Sequence, residues 1–283
     1  MKLYQPSTIK QIKEKYGFKL AKSLGQNFLT DQFVIEDIMD GADIKEEDLV
    51  IEIGPGIGVI TYEAAQLAKR VIAVEIDKNL IPILHDTLGE FDNVEVVNAD
   101  ILKTDVNDLI GDEKHVKIIG NLPYYITTPI IMKLLEDKVK AESITIMMQK
   151  EVADRITSKP GSKSYGALSV AVQYYCSTEK VCDVPRTCFV PNPNVDSEVL
   201  KLNILKEKPV EVLDEDLFFK TVRASFNMRR KTLNNSLMGI TGIDKEAVKE
   251  ALMEAGIDPI RRGETLSIEE FARLSDAIKK RGF

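Results

Sequence analysis

Short apolar runs rich in β-branched residues alternate with helically spaced apolar positions through the first two thirds of the chain. The runs at 49–53, 71–76, 94–97, 116–119 and 144–148 have the length and composition of buried strands. Helices are expected between them. Asp31 is placed to cap one whose apolar positions are Phe33, Ile35, Ile38 and Met39, and others span 59–67, 78–88 and 128–135. Such alternation builds right-handed crossovers, and so a parallel sheet covered on both faces that binds ligands at the carboxyl ends of its strands. Two later runs, 179–184 and 198–205, flank a Pro-rich loop and read as an antiparallel addition at one side. The pattern changes near 206–209. Beyond it only helical periodicity appears, at 214–226, 230–238, 245–255 and 268–280, with Gly256, Pro259 and Gly263 as breakers. The expected organisation is a basic arm over 1–30, an α/β domain over 31–207 and a small all-α domain over 208–283.

Composition adds exclusions. The 283 residues are 44% hydrophobic and 29% charged, a balance of globular proteins. A chain of this length buries roughly three quarters of its unfolded surface without help from disulfides or metals. No apolar run approaches a membrane span, and the Lys-rich segment 1–22 lacks the apolar centre of a signal peptide, so a cytoplasmic protein without a membrane partner is expected. Cys176, Cys182 and Cys188 form no CxxC pair, and His85 and His115 are the only histidines. A zinc site or a Ser/His/Asp triad therefore lacks parts, and no metal is expected. Nothing signals an obligate oligomer, and a monomer is expected.

The net charge of -7 hides an uneven distribution. In 1–30 six lysines, Lys22 among them, face the single acid Glu14; in 31–116 six bases face 21 acids; in 217–243 Lys220, Arg223, Arg229, Arg230 and Lys231 face none. An acidic body flanked by two basic segments suits a cationic small molecule in the middle and a polyanion held by Lys22, Arg223, Arg229, Arg230 and Lys231. Two solvated charged faces would give the same count.

The first expected strand ends in Glu52-Ile53-Gly54-Pro55-Gly56-Ile57-Gly58 and runs into a helix, so Gly54 and Gly56 let a ligand approach without meeting a Cβ. A dinucleotide fingerprint needs its third glycine where Val59 stands, and no GxxxxGK[ST] phosphate loop exists. Glu75, at the end of the second strand, is placed to accept hydrogen bonds from both hydroxyls of a ribose. Asp100, at the end of the third, is placed to accept from an adenine amine. Together with the acidic lining these point to S-adenosylmethionine.

The fourth strand ends in Gly120-Asn121-Leu122-Pro123-Tyr124-Tyr125. Pro123 disfavours the helical conformation at Leu122 and leaves its carbonyl free to accept, with the Asn121 amide oxygen as a second acceptor beside it. An adenine amine is a poor nucleophile because its lone pair is delocalised. Two acceptors on its hydrogens favour a pyramidal nitrogen, and Tyr124 offers a face for stacking. Methyl transfer from a sulfonium leaves a neutral thioether, so no strong base is needed and alignment supplies the rate. The target base must be unpaired or flipped out.

On these residues the chain resembles the KsgA family of ribosomal RNA small-subunit adenine dimethyltransferases. The likeness extends over Lys22-Ser23-Leu24-Gly25-Gln26-Asn27-Phe28-Leu29, the glycine motif, the Asn121 to Tyr124 motif, Phe189-Val190-Pro191-Asn192-Pro193-Asn194-Val195-Asp196-Ser197, and the basic stretch from Phe226 to Leu233. By residues alone, 25–29 also reads as a loop before a capped helix and 189–197 as a rigid connector. The resemblance implies a Rossmann-like class I methyltransferase with a mostly parallel seven-stranded sheet. It implies that Asn27, Leu29, Gly54, Glu75, Asp100 and Asn121 contact S-adenosylmethionine, with Gly56 in the glycine turn, and that Phe189 and Tyr124 sandwich the target adenine. It also implies that two adjacent adenosines in a hairpin loop near the 3′ end of 16S rRNA become N6,N6-dimethyladenosines, with a role in small-subunit biogenesis. Three rivals stand beside it: an Erm-type enzyme acting on 23S rRNA, a non-catalytic assembly factor, and a nicotinamide oxidoreductase, the last disfavoured by Val59.

Overall fold

In the computed structural model, which describes residues 2–18, 25–228, 230–240 and 244–282, the chain opens with a helix, α1 (Pro6–Tyr16), and a two-residue strand, β1 (Phe28–Leu29). The alternation follows: α2 (Gln32–Ala42), β2 (Leu49–Ile53), α3 (Val59–Ala65), β3 (Arg70–Glu75), α4 (Ile81–Thr87), β4 (Val94–Asn98), α5 (Val106–Ile110), β5 (Val116–Asn121), α6 (Thr127–Glu136) and β6 (Ser143–Gln149). Next come α7 (Lys150–Thr157), α8 (Ala167–Tyr175), β7 (Cys176–Val184), β8 (Phe189–Val190) and β9 (Ser197–Ile204). The chain ends with α9 (Glu215–Asn227), α10 (Leu233–Ser236), α11 (Lys245–Glu254) and α12 (Ile268–Lys280).

Every residue of β2 is buried, as a strand covered by helices on both faces requires. The seven-stranded sheet has the order β4-β3-β2-β5-β6-β9-β7, with parallel pairing from β4 through β6 and antiparallel pairing of β9 to β6. From β2 the chain runs outward to β3 and β4, then returns to β5 on the other side. The strand order therefore reverses between β2 and β5, where open α/β sheets leave a crevice at the carboxyl ends. The α1, α2 and α3 helices contribute Ile9, Ile35 and Ile60 to the core beside Val50 of β2 and Val71 of β3.

Asp31 caps α2 as expected, accepting from the N–H groups of Phe33 and Val34. The expected strands are present with ends shifted by a few residues. α1 lies inside the stretch read as a basic arm; its buried face is Ile9 and Ile12, with Pro6 at its first turn and left-handed Gly17 after its last.

The chain divides into two compact units, one of Met1–Ala153 with Thr178–Ile204, the other of Asp154–Ser177 with Leu205–Phe283. The second unit takes in α8, which the sequence pattern alone places within the α/β domain of 31–207. α8 is almost wholly buried, and its Tyr174 meets Phe218 of α9 at 4.9 Å between ring centres. The helix expected at 230–238 is shorter, α10 followed by a tight turn over Leu237–Gly239. α12 spans the expected 268–280 and opens with a capping box, Ser267 accepting from the Glu270 N–H while Glu270 accepts from the Ser267 N–H. Among the described residues no helix is long and apolar enough to cross a membrane.

Candidate active site

The strand-to-helix turn after β2 follows from its glycines. Gly54 and Gly56 have φ of 70° and 62°, a region that L side chains rarely adopt. A Cβ on Gly56 would stand 3.2 Å from the Phe28 ring, while one on Gly54 would meet nothing nearer than the Asn121 carbonyl oxygen at 3.9 Å. The turn thus forms the floor of a cleft of about 1080 Å³, its solvent-open mouth included.

The parallel register sets the other walls. Ile53 pairs with Val74 on one side and Gly120 on the other, so Gly54, Glu75 and Asn121 emerge at the same edge. Glu75 aligns with Asn98, which brings Asp100 to that edge as well. Gly54, Gly56, Glu75, Asp100, Asn121, Leu122, Pro123 and Tyr124 all line the cleft, and so do Asn27, Leu29 and Phe189. Every candidate cofactor and catalytic residue is thus brought to one place.

Glu75 is buried, its Oε1 accepting from the Asp77 N–H at 2.7 Å and its Oε2 from the Gly56 N–H at 3.3 Å. Burial nonetheless raises its carboxyl above the usual range. Asp100 Oδ1 accepts from the Leu102 N–H at 3.0 Å, and the exposed Lys103 ammonium lies 3.6 Å from Oδ2. Glu75 and Asp100 give the cleft an acidic lining that favours a cation.

The segment from Asn121 to Tyr124 has its acceptors exposed by its own turn. Ile126 N–H and Thr127 Oγ1 both donate to the Pro123 carbonyl and start α6, whereas no described residue donates to the Leu122 carbonyl oxygen. Asn121 Nδ2 donates to the Asn27 carbonyl at 3.3 Å, which commits the donor end of the amide and leaves Oδ1 as the acceptor end. The Tyr124 and Ser197 hydroxyls lie 2.7 Å apart and share a hydrogen bond, and burial raises the Tyr124 phenol above its usual value.

Two features were outside sequence reasoning. β1 pairs antiparallel with β8, Phe28 against Val190 and Leu29 against Phe189, so the N-terminal motif and the Pro-rich loop form one wall. Phe189 packs with Leu29 in the core and is 1% exposed, which makes its ring part of the wall and not a free platform. The second is closure from the N-terminal side: Gln26 Nε2 donates to Asp77 Oδ2 at 2.9 Å. Strands of two residues leave no alternation to read. Glu52 did leave a signal, an acid inside an otherwise apolar buried run.

Of the candidate RNA-binding residues, Arg223 lies with Lys220 on the exposed side of α9, one turn apart, and Arg230 and Lys231 are exposed in the turn after it. Lys22 and Arg229 lie outside the described residues. At the opposite, amino ends of the strands, Asp48, His115 and Glu142 bring ligand atoms within 4.8 Å of one another, but the Lys117 ammonium already holds Asp48 at 3.0 Å.

Residues 17–280 match the family described as ribosomal RNA adenine dimethylase. The chain is 54% identical over 280 residues to the ribosomal RNA small subunit methyltransferase A of Clostridioides difficile (strain 630), covering 98% of this chain and 97% of that one. It is 55% identical over 269 residues to that of Clostridium botulinum (strain Loch Maree / Type A3), covering 95% and 98%. Among solved structures it is similar to a dimethyladenosine transferase from Plasmodium falciparum, with a TM-score of 0.77, 27% identity and coverage of 90% and 98%. It is also similar to the 23S rRNA methyltransferase ErmE, with a TM-score of 0.67, 29% identity and coverage of 89% and 99%.

Proposed function

The chain belongs to the ribosomal RNA adenine dimethylase family, and from that premise we propose that it transfers methyl groups from S-adenosylmethionine to the N6 amines of two adjacent adenosines of 16S rRNA. The observation that carries the reading is the meeting of Gly54, Glu75, Asp100 and the Asn121 to Tyr124 turn at one sheet edge, in one cleft. The finer target is a hairpin loop near the 3′ end of that RNA, and the setting is small-subunit biogenesis in the cytoplasm.

The residues present fit the donor: a turn whose Gly54 and Gly56 carry no Cβ, an acidic lining and a buried carboxyl oxygen without a partner among the described residues. S-adenosylmethionine supplies a methyl group on a positively charged sulfur. Glu75, oriented by two backbone N–H groups, accepts from ribose hydroxyls, and Asp100 accepts from the adenine amine. Asn27 and Leu29 close the cleft from the N-terminal side. Asn121 Oδ1 and the Leu122 carbonyl accept from the target amine and turn its lone pair outward, Pro123 holding that carbonyl out of the helix. Tyr124 stacks on the base, with Phe189 in the wall behind it. The amine's proton leaves to water, so neither a metal nor a strong base takes part. Lys22, Arg223, Arg229, Arg230 and Lys231 hold RNA phosphates, and the chain acts as a monomer.

The likeness to ErmE favours a second reading, methylation of large-subunit RNA. The near full-length identity of 54% to small-subunit enzymes supports the first. Incubating the protein with labelled S-adenosylmethionine and unmethylated small or large subunits, then mapping the modified nucleotides, separates the two. Label on adjacent adenosines of the small-subunit RNA is expected; label on large-subunit RNA alone, or RNA binding without label, overturns the proposal.

A further inference from the structure

Glu52 lines the cleft yet takes no part in the transfer described above. It sits in β2 two residues before Gly54 and is 1% exposed. In the sheet its neighbours are Ala73 of β3 and Ile119 of β5, whose side chains cannot hydrogen-bond. Its Oε2 has no hydrogen-bond partner among the described residues. The buried Thr61 hydroxyl of α3 faces it outside hydrogen-bonding geometry and eases its burial only in part. The charged group facing it is Glu75, with Asp77 beyond. Glu75 differs, since the N–H groups of Gly56 and Asp77 satisfy its oxygens. A fully buried carboxylate with an unpaired oxygen and a like charge beside it is costly unless it takes up a proton or meets a cation.

We propose that Glu52 senses the charge of the donor, its carboxyl being protonated while the cleft is empty or holds the neutral thioether product, and ionised while it holds the sulfonium. This rests on the cofactor reading above. Burial, reinforced by the Glu75 charge, pushes the Glu52 carboxyl up to about 8, which keeps it neutral near pH 7 in the empty cleft. A sulfonium in the same low-dielectric space offsets the penalty and lowers that value. Donor binding then breaks the Glu52 O–H bond and releases the proton to solvent. On transfer the methyl leaves sulfur for N6, the amine gives up its proton, and Glu52 regains one through solvent. The cycle still yields one net proton per methyl, released at donor binding. Each dimethylated adenosine takes two donors in turn, so a cleft that loosens its hold once the charge is gone speeds the exchange of product for fresh donor.

The test is calorimetry without RNA, titrating S-adenosylmethionine and, separately, S-adenosylhomocysteine into the full-length protein near pH 7 in buffers of different ionisation enthalpy. About one proton released with the sulfonium and about none with the thioether are expected, since the two ligands differ by that charge. Glu52→Gln is expected to abolish the release and weaken the sulfonium at least ~10-fold while leaving the thioether within about twofold. Equal release for both ligands, or unchanged discrimination in Glu52→Gln, overturns the inference while leaving the cofactor reading intact; failure of both ligands to bind the wild type overturns both. Should the variant not fold, the wild type alone decides. Its affinity for the sulfonium relative to the thioether must rise with pH until about pH 8 and level off above it, and a flat ratio refutes the proposal.

Discussion

At the residue scale, the site depends on which end of one amide is free. Asn121 was legible as an acceptor from its place before Leu122-Pro123; that its donor end is committed to the Asn27 carbonyl was not, because Asn27 lies far away in sequence. Asn121→Ala is expected to lower single-turnover methylation by roughly 10²-fold or more, the scale of losing a positioned polar group at the reacting atom. RNA affinity by filter binding should hold nearly constant. Wild-type turnover in that variant would refute the assignment. Glu52 gives a prediction about stability. Its carboxyl rises from the ordinary 4.5 to about 8 on folding. The native state therefore holds more protons than the unfolded chain between those values, and stability falls as pH rises through that window. Glu52→Gln carries no such charge, so unfolding of the cofactor-free variant should show an advantage that grows from pH 5 to pH 8, reaching on the order of a few kcal/mol. An advantage independent of pH would show that Glu52 does not titrate this way.

At the element scale, the turn between β2 and α3 and the pairing of β1 with β8 make the cleft. The turn was readable, since closely spaced glycines after an apolar strand announce a backbone that other residues avoid. Gly56→Ala is expected to destabilise the protein by about 1–2 kcal/mol from left-handed strain, and to weaken donor binding because its Cβ would crowd the Phe28 ring, which lines the same cleft, at 3.2 Å. Thermal unfolding and calorimetry on the same variant measure the two effects; loss of neither would remove the glycine's stated role. The β1–β8 ladder was invisible in the chain, whereas α1 left its marks in the order Pro6, Ile9, Ile12, Gly17. α8 was missed for another reason: an apolar helix buried nearly all round has no polar face to set its period.

At the scale of the whole molecule, charge is the organising quantity. The acidic segment supplies the lining of the cleft, and the bases of 217–243 include exposed Lys220, Arg223, Arg230 and Lys231. Neutralising Arg229, Arg230 and Lys231 together should weaken RNA binding and flatten its salt dependence, by about 0.7–0.9 in log–log slope for each phosphate no longer neutralised. An unchanged slope would move the RNA surface elsewhere, for instance to Lys10, Lys13 and Lys15. What the chain determined by itself was the alternation of strand and helix, the glycine turn, the Pro-held carbonyl and the charge layout, because each arises within a few residues from side-chain period or backbone conformation. Only the folded molecule decided that Thr30 would bond to Cys188, 158 positions away, that Leu29 and Phe189 would close one wall, and that Glu52 would be left without a described partner for its oxygen. Those depend on which distant surfaces meet once the sheet is assembled, and no local pattern encodes them.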